Sequence, residues 1–463
     1  MDNRTRWLLE APLNGVLLKL TAPSTFAFAV QAAVTLAEVW FIGQLGTSAL
    51  AAMALVFPLL MLMQTMSGGA LGGAISASIA RSLGAGQSDK AEQLIWHALL
   101  FALMGALIFL ILFALGGREL LVLLGGEAQL LELAADYCWI LFLGGASVWL
   151  SSGLSAVFRG MGLMGFSAMI MIIGAAIQIP LSGGLILGWF GLPQLGLMGA
   201  AVSTICVASV MSMLFLLRLL GSSTPAKLRR FQFQLSSTLF EEILKVARPA
   251  SLSPIFTVAT ILGLTALVGQ FGAAALAGYG IGTRIEFLMI PIVFSMGTAL
   301  TTIVGTSMGS GNITRAESAG WIGSIWAGCI AGGVGLVLAI FPGAWIPVFT
   351  EDAETFQAAK DYIQTVGPAY AFLGVGLVLY FASQGAAAMT WPIVATVLRF
   401  VVSVGLAALW VQVFGGALQV IFTSGAIGMV LFGVLIALGL KLGAWRGANH
   451  PSIVESVNPN KRG

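Results

Sequence analysis

Residues 18–43, 50–80, 93–116, 134–158, 166–190, 196–220, 243–268, 276–308, 318–342, 361–387, 392–414 and 416–440 are runs of mostly apolar residues, about 20 long or more, and no other feature limits the fold as tightly. A run of that length crosses the hydrocarbon core of a bilayer as one helix. Only helices and closed barrels satisfy every backbone group there, and a barrel would show alternation in segments of about 10 residues. Charged residues make up 8% of the chain and the mean hydropathy is +0.99. A soluble domain carries about 25% charge. The expected fold is an all-α polytopic membrane protein with twelve transmembrane helices.

Basic residues set the expected orientation. Arg4, Arg6 and Lys19 precede or open the first span, Arg81 and Lys90 follow the second, and Arg159 follows the fourth. Arg218, Lys227, Arg229, Arg230, Lys245 and Arg248 surround the connection between spans six and seven. Arg315, Lys441, Arg446, Lys461 and Arg462 complete the set, against Arg118 and Lys360 on the opposite side. Both termini are therefore expected in the cytoplasm, with the chain in the cell inner (plasma) membrane. Glu10 and Pro12 interrupt any apolar core behind Arg4 and Arg6, so no cleaved signal peptide is expected.

The chain also repeats itself. Leu18-Lys19-Leu-Thr-Ala-Pro23 matches Leu244-Lys245-Val-Ala-Arg-Pro249, and Gly43-Gln44-Leu-Gly46 matches Gly269-Gln270-Phe-Gly272, both at a spacing of 226. One residue then drops out and the spacing becomes 225: Gly84-Ala-Gly86 matches Gly309-Ser-Gly311, Lys90-Ala-Glu92 matches Arg315-Ala-Glu317, and Gly160 matches Gly385. Six spans fit in that period, an even number, so the halves share one orientation about an axis along the membrane normal. The expected division is an N-terminal six-helix lobe over 1–220, a cytoplasmic linker over 221–242, a C-terminal six-helix lobe over 243–440 and a cytoplasmic tail over 441–463.

Several motifs reduce to structure. Gly84-Ala-Gly86-Gln-Ser-Asp-Lys90 follows a helix and lacks the Gly-Lys-Ser/Thr ending of a nucleotide loop. Its expected role is a helix end followed by a capping box, Asp89 with Glu92, copied as Thr314 with Glu317. Ser237 or Thr238 is expected to cap a short helix leading into span seven. The linker's basic residues suit retention at lipid headgroups. Cys138, Cys206 and Cys329 lie in or beside spans and act as small hydrophobes, and His97 and His450 have no partner at metal-ligand spacing. No metal or cofactor is expected beyond a coupling proton or sodium, and no Ser/His/Asp set or paired cytoplasmic carboxylates support an enzyme.

Glu38 is the residue that needs a reason. An acid near the bilayer centre costs about 2.5–3.5 kcal/mol on insertion scales and marks a functional site by default. Gln31, Thr35 and Glu38 are spaced i, i+4, i+7 on one helix face, and Gln178 and Ser182 are an i, i+4 pair around Pro180 in span five. A lone carboxylate among amides and hydroxyls can take up a proton on one side and release it on the other, and its oxygens also suit a hard cation. In the second half the equivalent position is Leu264. Glu286 either lines an external vestibule or pairs with neighbours of Arg284, and Arg399 is expected to snorkel to the cytoplasmic surface. Gln64, Met66, Arg284, Glu286, Tyr370 and Tyr380 are candidates for a substrate cleft, since Met and aromatic surfaces repack around varied partners.

In these residues the chain resembles the multidrug and toxic compound extrusion (MATE) transporters of the larger multidrug, oligosaccharidyl-lipid and polysaccharide exporter superfamily. The resemblance rests on Pro23, on Glu38 to Gly46 running into Ala49-Leu50-Ala51, on Gly84-Ala-Gly86 and on Gly196-Leu-Met-Gly199-Ala-Ala. It continues through the copy from Gly269 to Ala277, followed by Arg284-Ile-Glu286, and extends over about residues 15–440. It implies two six-helix lobes around a central cleft, rocking while an organic cation leaves in exchange for protons or sodium. Glu38 falls where the family commonly has an aspartate, Gln178 where it often has an asparagine, and Ser182 where many members have a second aspartate. Thr257 stands in span seven and no acid lies near Tyr380 in span ten, which leaves Glu38 as the coupling residue, with Gln31, Thr35, Gln178 and Ser182 as its polar shell. The expected partners are a small-molecule substrate and membrane lipids, with no nucleic acid, and the chain is expected to act as a monomer. The alternative is a lipid-linked precursor flippase or a natural-product exporter of the same superfamily, which would present a more cationic cavity.

Overall fold

The computed structural model describes residues 2–221, 224–228 and 234–447, without the side chains of Ala128, Phe287 and Phe414. Arg229, Arg230, His450, Lys461, Arg462 and the Phe287 side chain lie outside the described residues. The first half runs α1 (Asn3–Glu10), α2 (Leu13–Gly43), α3 (Thr47–Gln64), a π-helical stretch (Thr65–Leu71), α4 (Gly72–Gly84), α5 (Ser88–Leu123), α6 (Ala128–Leu143), α7 (Gly145–Gly160), α8 (Met164–Leu187) and α9 (Leu197–Leu220). The second half runs α10 (Ser237–Gly269), α11 (Ala273–Thr283), α12 (Ile285–Gly309), α13 (Ile313–Ile340), α14 (Ala353–Val366) and α15 (Tyr370–Gly385). It ends with α16 (Thr390–Phe400), a second π-helical stretch (Val401–Leu406), α17 (Ala407–Phe414), α18 (Leu418–Lys441) and α19 (Ala444–Gly447). No strand occurs among the described residues.

Among the described residues eleven helical stretches are long and apolar enough to cross a membrane, and twelve when α6 and α7, bent by 54°, count as one span. The single helix expected over 134–158 is this bent pair. Gly144 forms the break, ahead of Gly145 at the start of α7, and a Cβ on Gly144 would meet Cγ1 of Ile205 on α9 at 2.6 Å. The span expected over 276–308 is likewise interrupted, at Arg284 between α11 and α12. The tenth span starts at Ala353, ahead of the expected 361, because Asp352 caps it by accepting the Thr355 N–H at 2.8 Å.

The expected capping residues are corrected in three places. Asn312, and not Thr314, caps α13 by accepting from the Arg315 N–H at 3.0 Å. Helix α5 has no side-chain cap from Asp89, and Glu92 instead accepts the Lys227 N–H at 3.3 Å. Ser236 caps α10 by accepting from the Leu239 N–H, and α10 continues unbroken through span seven.

Helix α12 organises the junction of the halves: it packs on α13 and α15 of its own half and on α4 and α2 of the other. The 226- and 225-residue periods are visible in backbone geometry. Gly46 and Gly272 end equivalent turns at φ 109° and 98°, a region that favours glycine. Gly84 of α4 lies against the backbone of Thr306 on α12, and its repeat partner Gly309 lies against the backbone of Arg81 on α4. Small residues let helix backbones approach this closely in membranes. Thr302 Oγ1 donates to the Arg159 carbonyl at 2.8 Å, and Arg81 Nη1 donates to the Gln384 and Gly385 carbonyls at 3.2 and 3.0 Å, so both halves lock across this end.

One repeat position breaks its own rule. Gly162 turns at φ 74°, whereas its equivalent, Ala387, holds φ 55°. A left-handed conformation costs a non-glycine residue about 1–2 kcal/mol, and glycine's extra chain entropy returns about 0.5–1 kcal/mol of that. Ala387→Gly should therefore raise stability by about 0.5–1 kcal/mol, read as a higher midpoint in thermal unfolding of the purified protein.

Candidate functional site

Glu38 sits five residues from the end of α2, on the face that packs against α8. Its Oε1 accepts from Gln178 Nε2 at 2.6 Å and from Ser182 Oγ at 2.8 Å. Gln178 and Ser182 share a face of α8 one turn apart, and Pro180 lies between them in the helix. Both side chains are buried. Helix α9 completes the cluster: Gln178 Nε2 lies 3.3 Å from Ser203 Oγ and 3.2 Å from Thr204 Oγ1, and the Ser182 and Ser203 hydroxyls are 2.8 Å apart. Ser203 and Thr204 each donate to the Ala200 carbonyl at 2.9 Å. Three helices thus converge one carboxylate, one amide and three hydroxyls on a single spot.

Chemically the cluster has two uses. A carboxylate held by an amide and a hydroxyl can exchange a proton without repacking, because hydroxyl and amide groups both donate and accept. The same oxygens, with a single formal charge among them, suit a monovalent hard cation. Among the described residues no group of three or more His, Cys, Asp or Glu is placed to hold a metal ion. Phe41, three residues after Glu38, packs edge-on against Trp189 at 5.3 Å, and Gly183 admits that indole beside Ser182.

The structure brings Glu38, Gln178 and Ser182 together and leaves two expected neighbours apart. Gln31 and Thr35 are exposed, and Thr35 Oγ1 donates to the Gln31 carbonyl, not to Glu38. They share its helical face but lie one or two turns away, with Gln31 displaced by about 10 Å along the axis. Ser203 and Thr204 were not among the expected site residues. Their sequence signal is an adjacent polar pair shortly after Gly199-Ala-Ala, in a mostly apolar span that also holds Ser209 and Ser212.

The other candidates separate into distinct settings. Gln64 is exposed and Met66 half-buried where α3 passes into its π-helical stretch. Arg284 is exposed at the α11–α12 break, with its guanidinium 5.1 Å from the Phe349 ring centroid. Tyr380 is buried and donates to the Ala250 carbonyl at 2.9 Å. Tyr370 is fully buried and joins Glu286, Met289 and Leu373 around a small pocket with room for about one water. These two tyrosines are packed inside the second half instead of facing open space. Arg399 does not snorkel outward. Its guanidinium lies 5.4 Å from the Phe432 ring and within electrostatic range of the Glu286 carboxylate. Glu286 accordingly has a cationic neighbour on α16, and neither of the two settings expected for it describes this one.

A helical membrane protein built from two like halves, with a carboxylate held by an amide and hydroxyls in the first of them, belongs to the class of multi-pass transporters. The MatE family pattern matches residues 23–182 and 249–409, two segments that start 226 residues apart as the internal repeat does, and the chain belongs to that family. The FAD transporter of Shewanella oneidensis is 27% identical over 384 residues, covering 81% of this chain and 82% of that one. The probable multidrug resistance protein NorM of Thermotoga maritima is 26% identical over 390 residues, covering 82% of each. In fold, the chain resembles a MOP superfamily transporter from Pyrococcus furiosus described as having a binding pocket of reverse polarity. Its TM-score is 0.88 and its identity 22%, over 97% of this chain and all of that one. It also resembles a multidrug resistance MATE family transporter in its outward-facing conformation, with a TM-score of 0.87 and 23% identity over 97% of this chain and all of that one. The protein is therefore a membrane transporter of small molecules and not an enzyme.

Proposed function

We propose that the protein is a secondary antiporter that exports amphipathic, cationic organic compounds in exchange for protons or sodium, with Glu38 carrying the coupling ion. The observation that supports this most is the Glu38 carboxylate held by Gln178 and Ser182 inside an apolar lobe, while the equivalent helix of the other lobe has Leu264 in its place. A scaffold that keeps the glycine and proline framework in both copies but the acid in only one does not need that acid for packing. The junction at α4 and α12 supports alternating access: the lobes meet at the end carrying α1, and rocking that parts this contact while closing the opposite end exposes the site to each side in turn. The excess of Arg and Lys supports a cytoplasmic α1 end in a cell inner membrane, where on this reading the protein works as a monomer. The test is uptake of a cationic dye into proteoliposomes under an imposed proton gradient, then separately under an imposed sodium gradient. Coupling by one ion gives accumulation under its gradient alone, and accumulation under neither ends the antiport reading.

A second reading draws on the relative described as an FAD transporter. Arg284, exposed at the α11–α12 break, is a cation that an organic anion could meet. Binding of flavin dinucleotide to the purified protein, with no binding of a cationic dye, would put the anionic substrate class first. It would leave the role of Glu38 in coupling intact.

A further inference from the structure

The amphipathic helix α1 is tied to both halves of the molecule. At its start, Arg4 Nε and Nη2 donate to the Gly162 carbonyl at 3.0 and 2.7 Å, in the turn between α7 and α8. At its end, Arg315 of α13 reaches over from the other half. Its Nε and Nη2 donate to the Leu8 carbonyl at 3.2 and 2.8 Å, and Nη2 also donates to the Ala11 carbonyl at 2.6 Å. These carbonyls are the ones a helix leaves unpaired at its C-terminus, where a cation is also favoured by the helix dipole. Leu8 and Thr5 are buried beneath the helix, and Arg4 lies over the Trp7 ring at 4.5 Å.

The repeat supplies a counterpart. Arg315 corresponds to Lys90, and Lys90 Nζ pairs with Glu242 of α10 at 2.7 Å. Each half therefore presents a basic residue, in the first turn of an equivalent helix, to the N-terminal part of the other half: Arg315 to α1 and Lys90 to the start of α10. Only one residue, Pro12, separates the α1 C-cap, Ala11, from α2, so α1 is bound to the first half both covalently and through Arg4. Arg315 is its attachment to the second.

We infer that α1 is a strap across the mouth between the lobes, and that Arg315 is the clasp that must open when the lobes part at that end. The strap sets the balance between the closed and open states of this face. It acts at a distance from the Glu38 cluster, and the inference rests on the rocking of two lobes proposed above.

The test uses full-length protein in lipid nanodiscs, with Cys138, Cys206 and Cys329 replaced and spin labels at the exposed loop positions 87 and 310, one in each half. Arg315→Gln and Arg4→Gln should each raise the ratio of long to short label distances about tenfold, equivalent to about 1.4 kcal/mol. Arg446→Gln, which breaks a pair with Glu317 on the same end of the second half, should leave that ratio unchanged. If Arg315→Gln does not fold, Arg4→Gln at the other end of the strap decides. A wild-type protein that samples both distances while neither strap variant shifts them, or in which Arg446→Gln shifts them equally, overturns the strap alone. A wild-type protein with one distance under all gradients and substrates overturns both the strap and the rocking.

Discussion

Replacing Glu38 with Gln should abolish substrate accumulation while leaving substrate binding in place. A hundredfold ion gradient holds about 2.7 kcal/mol, so a one-for-one exchanger driven by it concentrates its substrate about 100-fold. The variant should reach an accumulation of about onefold, because an amide of the same shape can accept from Gln178 and Ser182 but cannot take up and release an ion. Retained dye binding in the Glu38→Gln protein separates this loss from misfolding. The cluster predicts that the effect is local: the amide replaces a carboxylate whose Oε1 already accepts from two neutral groups at 2.6 and 2.8 Å, so no buried charge is left unpaired.

The second large effect is expected at the junction of the lobes. A Cβ on Gly84 would fall within 2.8 Å of the Thr306 carbonyl carbon, and one on Gly309 within 2.8 Å of the Arg81 carbonyl carbon. Both obstacles are backbone, which cannot turn aside as a side chain can. Gly84→Val or Gly309→Val should therefore hold the lobes apart at the α1 end, at a cost to the closed state of about 1–3 kcal/mol. That is roughly a 5- to 150-fold shift toward the open state. Distances between labels at positions 87 and 310 check it, and the two variants should act alike because the repeat makes their sites equivalent. A shift from one glycine and none from the other would show that the two close approaches carry different loads.

Much of this was legible in the sequence because it depends on spacing along the chain. The repeat at 225 and 226 residues predicted equivalent turns, and Gly46 with Gly272 and Gly84 with Gly309 occupy equivalent settings. The pairing of Gln178 with Ser182 followed from one helical turn. What the sequence did not show is set by contacts between helices. Nothing in one chain says that α9 packs so that Ser203 and Thr204 meet Gln178, or that α12 and α16 bring Glu286 near Arg399. The helical wheel placed Gln31 with Glu38, but a wheel ignores the rise of about 1.5 Å per residue that separates them. Arg399 stands near the start of the apolar run 392–414, which suggests a snorkelling side chain, but it lies nine residues into α16, about 14 Å along the axis, and faces inward. The bend at Gly144 escaped for a related reason. Two adjacent glycines weaken a helix, yet whether it bends depends on what packs beside it, here Ile205.

The central claim is that Glu38 carries the coupling ion, and ion movement driven by substrate tests it most directly. Proteoliposomes with no imposed gradient receive a cationic dye on one side, and indicators inside report pH and sodium together. The wild-type protein is predicted to move one of the two ions against the dye in a fixed ratio, and Glu38→Gln to move neither. Ion movement by Glu38→Gln at the wild-type ratio would contradict the account.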